Sequence, residues 1–275
     1  MSKIINHDIR SVNSGTMYLP ISASYGNMAT PDLSKPDTTQ QYDIGTAYVY
    51  NGKAYYYSYA TAIVKSRQLA ETSYHQATAQ AAITTAADIY ATSIKITTAS
   101  GDGVASDGKF ALNALKGGHV VVFVAGSGGD DDDFVRGIVS STAVTTAGEM
   151  TIELDAPIPH ALVATTSVAE TIASPYAYIR LGASVARTKV GVPACYAAAT
   201  NYVWVQTWGP TWIAPQSTVG VAGLVGIVAR HDGSLEPADS TVSSLISNQH
   251  IGYTMFPSST STQAAPFVYL QIAHP

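Results

Sequence analysis

The sequence is a succession of short β-prone runs separated by turn residues, and the clearest pair flanks Asn51-Gly52. The run 46–50 precedes this dipeptide and the run 53–59 follows it. Asn-Gly is the strongest short hairpin signal, because a two-residue type I′ turn needs positive φ at both central positions. The pattern predicts a β-hairpin. Tyrosines at alternate positions of its second strand should share one face: Tyr55, Tyr57 and Tyr59.

Further runs with strand character follow along the chain. They alternate apolar and polar residues or form short apolar stretches, and they occupy residues 93–97, 120–124, 134–139, 150–155, 202–208 and 267–272. The continuous apolar run 120–124 predicts a strand buried on both faces. A short helix is expected over residues 64–71.

These patterns predict a mainly β fold, with a β-sandwich or barrel-like core, an inserted small β subdomain and an extended N-terminal arm. The core is expected to comprise residues 41–91 and 157–275, and the insert residues 92–156. Within the segment 1–40, residues 22–32 show no period of 2 or 3.6, and Pro20, Pro31 and Pro36 interrupt the chain. Such an arm is expected to be disordered or to lie across a neighbouring subunit.

Charge excludes several classes of function. Charged residues make up 12% of the chain, hydrophobic residues 46%, and the net charge is −5. A chain without a Lys/Arg cluster is not expected to bind nucleic acid. No apolar stretch is long enough for a membrane span and no signal peptide is visible, so we expect no membrane partner and assembly in a cytoplasm. The weakly charged surface suits contact with neighbouring proteins.

The most conspicuous charge run is acidic and follows a Gly-rich stretch: Asp130, Asp131, Asp132 and Asp133. Carboxylates on a flexible loop suit Ca²⁺, which makes this run a weak calcium candidate. An EF-hand needs alternating acidic positions and a distal Glu, so we interpret the run as a solvated hairpin tip. The seven histidines show no zinc-ligand spacing. We therefore predict neither a metal nor a cofactor.

No recognised catalytic motif is present. The sequence contains no G-x-S-x-G, no phosphate-cradling Gly loop before a helix and no paired catalytic carboxylates on a recognisable frame. Its single cysteine, Cys195, has apolar neighbours and is expected to be a small buried side chain. We therefore predict that the chain is not an enzyme.

Aromatic residues are the main candidates for binding, and those singled out are Tyr55, Tyr57, Tyr59, Tyr202, Trp204, Trp208 and Trp212. In the run 202–208, alternation should place Trp204 and Trp208 on the same face. A core face or a subunit interface is the favoured interpretation, since aromatic residues dominate the energetics of both. A glycan-binding platform is the alternative.

Several segments taken together resemble virion proteins of tailed bacteriophages, including capsid decoration (cement) proteins. The likeness lies in Gln40–Thr46 with Asn51–Tyr57, Gly191-Val192-Pro193, the stretch 201–210, the inserted segments 117–121 and 135–138, and the closing residues 268–272. The segments cover most of residues 40–272, although each is short.

This resemblance implies a structural protein on the capsid surface that binds the major capsid protein and stabilises the head. A homotrimer or another cyclic oligomer is expected. One alternative is the major capsid protein itself, although the long spine helix of the usual shell fold is not predicted here. Another is a head-fibre or receptor-binding module with an aromatic glycan-binding face.

Overall fold

A computed structural model describes residues 8–12, 15–19, 30–73, 77–103, 105–124, 132–184, 187–215, 219–220, 224–238, 248–255 and 267–275, with only the backbone described for 8–12. Strands and turns make up these residues and no α-helix occurs among them, which confirms the predicted mainly β fold. In the described ranges, no helix has the length and apolar character needed to cross a membrane.

The strands in chain order are β1 (Asp8–Val12), β2 (Gly15–Leu19), β3 (Ala47–Tyr50), β4 (Lys53–Tyr59), β5 (Ala70–Thr72), β6 (Thr78–Ala82), β7 (Ser93–Thr97), β8 (His119–Phe123), β9 (Phe134–Ser141), β10 (Glu149–Leu154), β11 (Val168–Ile172), β12 (Ile179–Leu181), β13 (Lys189–Pro193), β14 (Tyr202–Trp212), β15 (Gly226–Ala229), β16 (Leu235–Pro237), β17 (His250–Thr254) and β18 (Phe267–Gln271).

The chain forms two compact units. Unit 1 comprises Met1–Ser73 and Tyr176–Pro275, and unit 2 comprises Tyr74–Pro175. Unit 2 is wider than the insert predicted at 92–156, because β6 and β11 pair with each other and β11 also pairs with β8. Strands β6 and β11 lie outside residues 92–156, in segments without the sequence patterns that indicated the insert.

Unit 1 contains an antiparallel sheet with the order β1-β2-β3-β4-β14-β18-β17-β15-β16. Strand β13 pairs with both β14 and β5, and β5 also pairs with β12. The predicted hairpin is confirmed: β3 and β4 pair through Tyr48 and Tyr55, and the turn has φ of 51° at Asn51 and 70° at Gly52. Positive φ at both positions is the geometry that this dipeptide favours.

Part of the predicted N-terminal arm forms strands instead. Strands β1 and β2 make a hairpin, and β2 pairs with β3. Met17 and Leu19 of β2 are buried with Tyr48 and Trp204 in one cluster, so apolar burial adds to strand pairing in ordering this segment. Residues 1–7, 13–14 and 20–29 of the predicted arm lie outside the described residues.

The helix predicted over residues 64–71 is wrong. Val64 forms an antiparallel bridge with Ala197, and the end of the segment belongs to β5. All of β5 is buried between two partner strands, so sheet pairing overrides the local helix propensity. Because Thr72 of β5 pairs with Ile179 of β12, the chain leaves unit 1 and returns to it on neighbouring strands.

A buried ion cluster ties β5, β12 and β13 together. Glu71 and Lys189 are almost fully buried, and Nζ of Lys189 lies 2.6 Å from Oε2 of Glu71. Nε and Nη2 of Arg180 each lie 2.9 Å from Oε1. The backbone N–H groups of Ala183 and Ser184 donate to Oε2 at 3.1 Å. Both carboxylate oxygens of Glu71 are therefore satisfied.

The ammonium group of Lys189 is satisfied as well. It also donates to the carbonyl oxygens of Ser184 (2.9 Å) and His231 (3.3 Å). Burial on its own would raise the pKa of Glu71, but the hydrogen bonds from Lys189 and Ala183 and the charge of Lys189 hold that pKa below its ordinary value. A saturated cluster of this kind has a structural role.

In the described part of unit 2, six antiparallel strands curve into a ring. Their order is β6-β11-β8-β9-β10-β7, and the bridge between Ile83 and Ile96 joins the end of β6 to β7. The Thr84 N–H also donates to the Lys95 carbonyl at 2.9 Å. The ring is filled by buried aliphatic side chains, which include Ile83, Ile94, Ile96, Val120, Val122, Ile138, Met150 and Ile152.

The prediction that residues 120–124 form a strand buried on both faces is wrong. The side chains of β8 alternate, with Val120 and Val122 buried and Val121 only half-buried. In a small closed ring one face of every strand lines the interior and the other faces outward.

Candidate functional site

The aromatic residues predicted as a binding surface lie in different environments. Tyr55, Tyr57 and Trp204 are buried in the core of unit 1 and are not surface residues. Tyr59 and Tyr202 are half-buried at the margin of that cluster, with ring centroids 5.0 Å apart. These five residues therefore make up a core face and its edge.

A β-bulge in β14 separates Trp208 from this cluster. Gln206 pairs with Tyr55 of β4, whereas Trp208 pairs with Ala54, so the register shifts by one residue between them. Adjacent strand residues point to opposite faces, and Trp208 therefore lies on the opposite face of the sheet from Gln206. The expectation that Trp204 and Trp208 share a face is wrong for this reason.

Gln206 and Gly209 hold the bulge in place. The buried Gln206 side chain donates through Nε2 to the carbonyl oxygens of Trp208 (3.1 Å), Gly209 (3.3 Å) and Pro210 (3.0 Å). Gly209 has φ of 90°, and a Cβ added there would lie 2.4 Å from the Gly52 carbonyl oxygen. Only glycine fits at this position.

Beyond the bulge, strands β14, β18 and β17 display a set of apolar side chains on one side. Pro210 pairs with Tyr269, which pairs with Tyr253, and Trp212 pairs with Phe267. Directly opposed residues in antiparallel strands share a face. We call this surface the aromatic face; it consists of Trp208, Pro210, Trp212, Tyr253, Met255, Phe267 and Tyr269.

Much of the aromatic face is accessible. Phe267 is 57% exposed, and Tyr253 and Met255 are each 39% exposed. The other members are half-buried. No member of the face is charged, and exposed, uncharged apolar surfaces are typical of protein contact sites.

Ring contacts fix the side chains of the aromatic face. Tyr253 and Tyr269 stack with centroids 5.4 Å apart, and Trp208 meets Tyr269 edge-on at 5.8 Å. His274 lies 5.1 Å from Trp208, and the Arg67 guanidinium lies 5.5 Å from the centre of the Trp212 ring. The rings are held by one another before any partner binds, which reduces the entropy lost on association.

The sequence pointed to only two members of the aromatic face, Trp208 and Trp212. It missed Tyr253, Met255, Phe267 and Tyr269. Residues along β18 alternate, so that Val268 and Leu270 are buried and the intervening Phe267 and Tyr269 lie on the other face. The pairing of β18 with β14 and β17 could not be derived from the pattern of any one strand.

Two adjoining cavities open elsewhere in unit 1. Their volumes are about 220 and 430 Å³, and Ser66 lines both. Lys53, Tyr55 and Gln206 contribute to the smaller cavity, and Lys65 and Arg67 to the larger one. We refer to the pair as the cationic cleft.

The weak calcium candidate is only partly described. Asp130 and Asp131 lie outside the described residues. Oδ1 of Asp132 is 3.6 Å from Nδ1 of His160, and Asp133 accepts a hydrogen bond from the Val124 N–H at 2.9 Å. In the part of the chain that the structure describes, no group of three or more His, Cys, Asp or Glu residues is placed to hold a metal.

Cys195 is half-buried and packs against a core cluster of unit 1. Burial, followed by the charges of Asp32 and Asp37, raises the pKa of its thiol to about 11. The thiolate needed for nucleophilic chemistry is therefore disfavoured at neutral pH.

Comparison of the chain with protein-family models, with curated proteins and with solved structures found no match.

Proposed function

We propose that this chain is a structural subunit that works through protein–protein contacts made by its aromatic face, and that it serves as a capsid decoration protein of a tailed bacteriophage. The aromatic face is the observation that carries the proposal. Interface centres are enriched in aromatic residues and Met and depleted in charge, as this face is.

The setting on a phage head rests on the sequence resemblance, and its partners are then the major capsid protein and further copies of the chain. Three adjacent strands hold the aromatic face, so its side chains are placed by the sheet rather than by a loop. Aromatic anchors on a rigid element contribute most of the binding energy in many interfaces.

The proposal is tested by replacing Phe267 and Tyr269 with Ser together. We expect attachment to heads of the source phage that lack this chain to weaken by about 30-fold or more, as loss of an interface hot spot does. Attachment is measured by co-sedimentation with the heads, and a thermal melt verifies that the variant folds.

A matched control removes exposed apolar side chains from unit 2. Leu112 is 69% exposed and Tyr90 is exposed as well, so replacing both with Ser changes surface hydrophobicity without touching the aromatic face. This variant should attach like the wild type. Equal attachment of the Phe267/Tyr269 variant and the wild type would exclude the aromatic face as the binding surface.

A receptor-binding module is the second candidate, because exposed aromatic rings also stack on sugar rings. Gln271 and His274 flank Trp208 and could bind sugar hydroxyls. Trp208→Ala is the variant for a glycan-array test, since the buried Trp204 cannot be replaced without damaging the core. Glycan binding that is lost in Trp208→Ala would favour this second function.

A further inference from the structure

The cationic cleft gathers positive charge without a matching negative charge. Lys53, Lys65 and Arg67 line its two cavities, and neither lining contains Asp or Glu. Among the described side chains, no carboxylate lies within ion-pair distance of these three cations. By contrast, Lys35, Lys95, Lys109, Arg180, Lys189 and Arg230 all have carboxylate partners. In a chain with net charge −5, this concentration of unpaired cations favours a negatively charged ligand.

The inner wall of the cleft adds a hydrogen-bond donor. Tyr55 lines the smaller cavity, and its hydroxyl makes no hydrogen bond with another described residue. Its ring is buried but the hydroxyl oxygen is not fully enclosed, so the hydroxyl can donate to a ligand in the cavity. Burial, followed by the charges of Tyr48 and Tyr50, raises the pKa of Tyr55 to about 12. The phenol therefore stays protonated at neutral pH and can donate.

The size and lining of the cleft favour a segment of chain over a small anion. The cations are spread over two adjoining cavities of about 220 and 430 Å³, which a single carboxylate or phosphate ion does not fill. Apolar side chains line part of each cavity, among them Val192, Pro193 and Tyr196. A peptide with several carboxylates offers both the charges and the apolar contact.

We propose that the cationic cleft binds an acidic segment of a partner protein, with Lys65 and Arg67 pairing with its carboxylates and Tyr55 donating to one that enters the smaller cavity. Because Lys65 and Arg67 are exposed, peptide binding should weaken strongly as the salt concentration rises. The cleft and the aromatic face share no lining residue, although the Arg67 guanidinium lies 5.5 Å from the centre of the Trp212 ring. The Phe267/Tyr269 variant leaves the cleft unchanged and Tyr55→Phe leaves the aromatic face unchanged, so either proposal can fail while the other stands.

The test uses the full chain and a fluorescein-labelled peptide with the sequence Gly-Ser-Gly-Gly-Asp-Asp-Asp-Asp-Phe, which corresponds to residues 126–134 of this chain. Its partner probe has Asn at all four Asp positions. We expect fluorescence anisotropy to show binding of the Asp peptide that weakens as salt is raised, and far weaker binding of the Asn peptide.

Two variants locate the binding. Replacing Lys65 and Arg67 with Ser should weaken binding of the Asp peptide about tenfold, since both cations are exposed. The matched control replaces Lys95 and Lys109, two exposed cations of unit 2, with Ser and should bind like the wild type. Tyr55→Phe should weaken binding about threefold to tenfold, because it removes a single hydrogen bond.

The proposal is overturned if the wild type does not bind the Asp peptide, or if the Lys65/Arg67 variant binds it as tightly as the control. Stronger competition by inorganic phosphate or by a single-stranded oligonucleotide than by unlabelled Asp peptide would overturn it as well. If Asp130→Asn/Asp131→Asn lowers self-association of the full chain, the acidic segment comes from a second copy, and the proposal is supported.

Discussion

The two units build antiparallel sheets of opposite character. Unit 2 brings the first and last of its described strands together through a bridge between Ile83 and Ile96. Unit 1 has an open sheet whose path runs from β1 to β16. A closed ring satisfies its own backbone groups, whereas an open sheet presents unpaired edges that can bind another chain.

The two units also differ in the side chains that fill their cores. Aliphatic side chains make up most of the core of unit 2, with Phe110 and Phe134 also buried there. Unit 1 packs Tyr42, Tyr57 and Trp204 against one another with centroids 5.1 Å apart and buries the Glu71–Lys189 ion pair. In unit 1, the aromatic side chains and the Glu71–Lys189 ion pair fix which residues of neighbouring strands pair with each other. This comparison indicates that unit 2 depends mainly on apolar packing, whereas unit 1 also depends on a buried ion pair and on particular aromatic contacts.

The largest difference between the units is expected from removing one cation in each. Lys189→Met leaves Glu71 buried without its closest partner and should destabilise unit 1 by about 3–5 kcal/mol. Lys95→Met removes an exposed partner of Glu149 in unit 2 and should cost less than about 1 kcal/mol. All three tryptophans belong to unit 1, so tryptophan fluorescence in urea follows that unit, and far-UV circular dichroism measures the effect of Lys95→Met on unit 2. Similar costs for the two variants would contradict the contrast.

A slightly smaller effect is expected from a cavity in unit 2. Ile152→Ala should destabilise the ring by about 2–5 kcal/mol, whereas Val135→Ala on the outer surface should stay within about 0.5 kcal/mol. Far-UV circular dichroism should record the shift for Ile152→Ala while the tryptophan transition of unit 1 keeps its midpoint. A joint shift of both transitions would mean that the units unfold together.

A third test removes a polar contact from the aromatic core of unit 1. Tyr57 donates to Oδ2 of Asp37 at 2.8 Å and accepts from the Gln41 N–H at 3.2 Å. Tyr57→Phe should cost about 1 kcal/mol in the free energy of unfolding, measured by tryptophan fluorescence. Tyr50→Phe is the control, because the Tyr50 hydroxyl makes no hydrogen bond with a described residue. If Tyr57→Phe is as stable as the wild type, the Tyr57 ring stabilises unit 1 and its hydroxyl does not.

The smallest effect is a pH dependence confined to unit 1. The pKa of Glu71 lies below its ordinary value of 4.5 in the folded chain, so its contribution to stability is complete above that pH. It should be lost as pH falls through the lowered pKa, because the unfolded chain binds the proton first. The measurement is the urea midpoint of tryptophan fluorescence from about pH 7 to about pH 3. In Glu71→Gln, the urea midpoint should change less between these pH values. If it changes as much as in the wild type, other groups cause the pH dependence.

Local patterns revealed a good part of the fold. The Asn51-Gly52 hairpin and the strands near residues 93–97, 134–141 and 149–154 follow from turn chemistry and alternation. What they could not reveal depends on distant pairings. Lys189 and Glu71 are 118 residues apart, and the bridge that closes unit 2 joins segments that look like separate strands.

The candidate site was the least predictable part. Alternation along 202–208 assumes regular pairing, and the bulge after Gln206 reverses the face on which Trp208 lies. Bulges depend on the partner strand and on contacts such as the one between Gly209 and Gly52, which a single sequence does not show. The lining of the cationic cleft likewise comes from loops and strands that are far apart in the chain.

The pairing of β5 with β12 also bears on the order in which the chain folds. Joining these strands means closing a loop that contains all of unit 2, and the entropy lost in closing a loop grows with its length. Inside unit 2, Thr78 near its start already pairs with Thr171 near its end. Prior folding of unit 2 would hold its two ends together and replace the long closure with a short one. Kinetically, the inserted unit then acts as the nucleus on which the surrounding sheet completes itself.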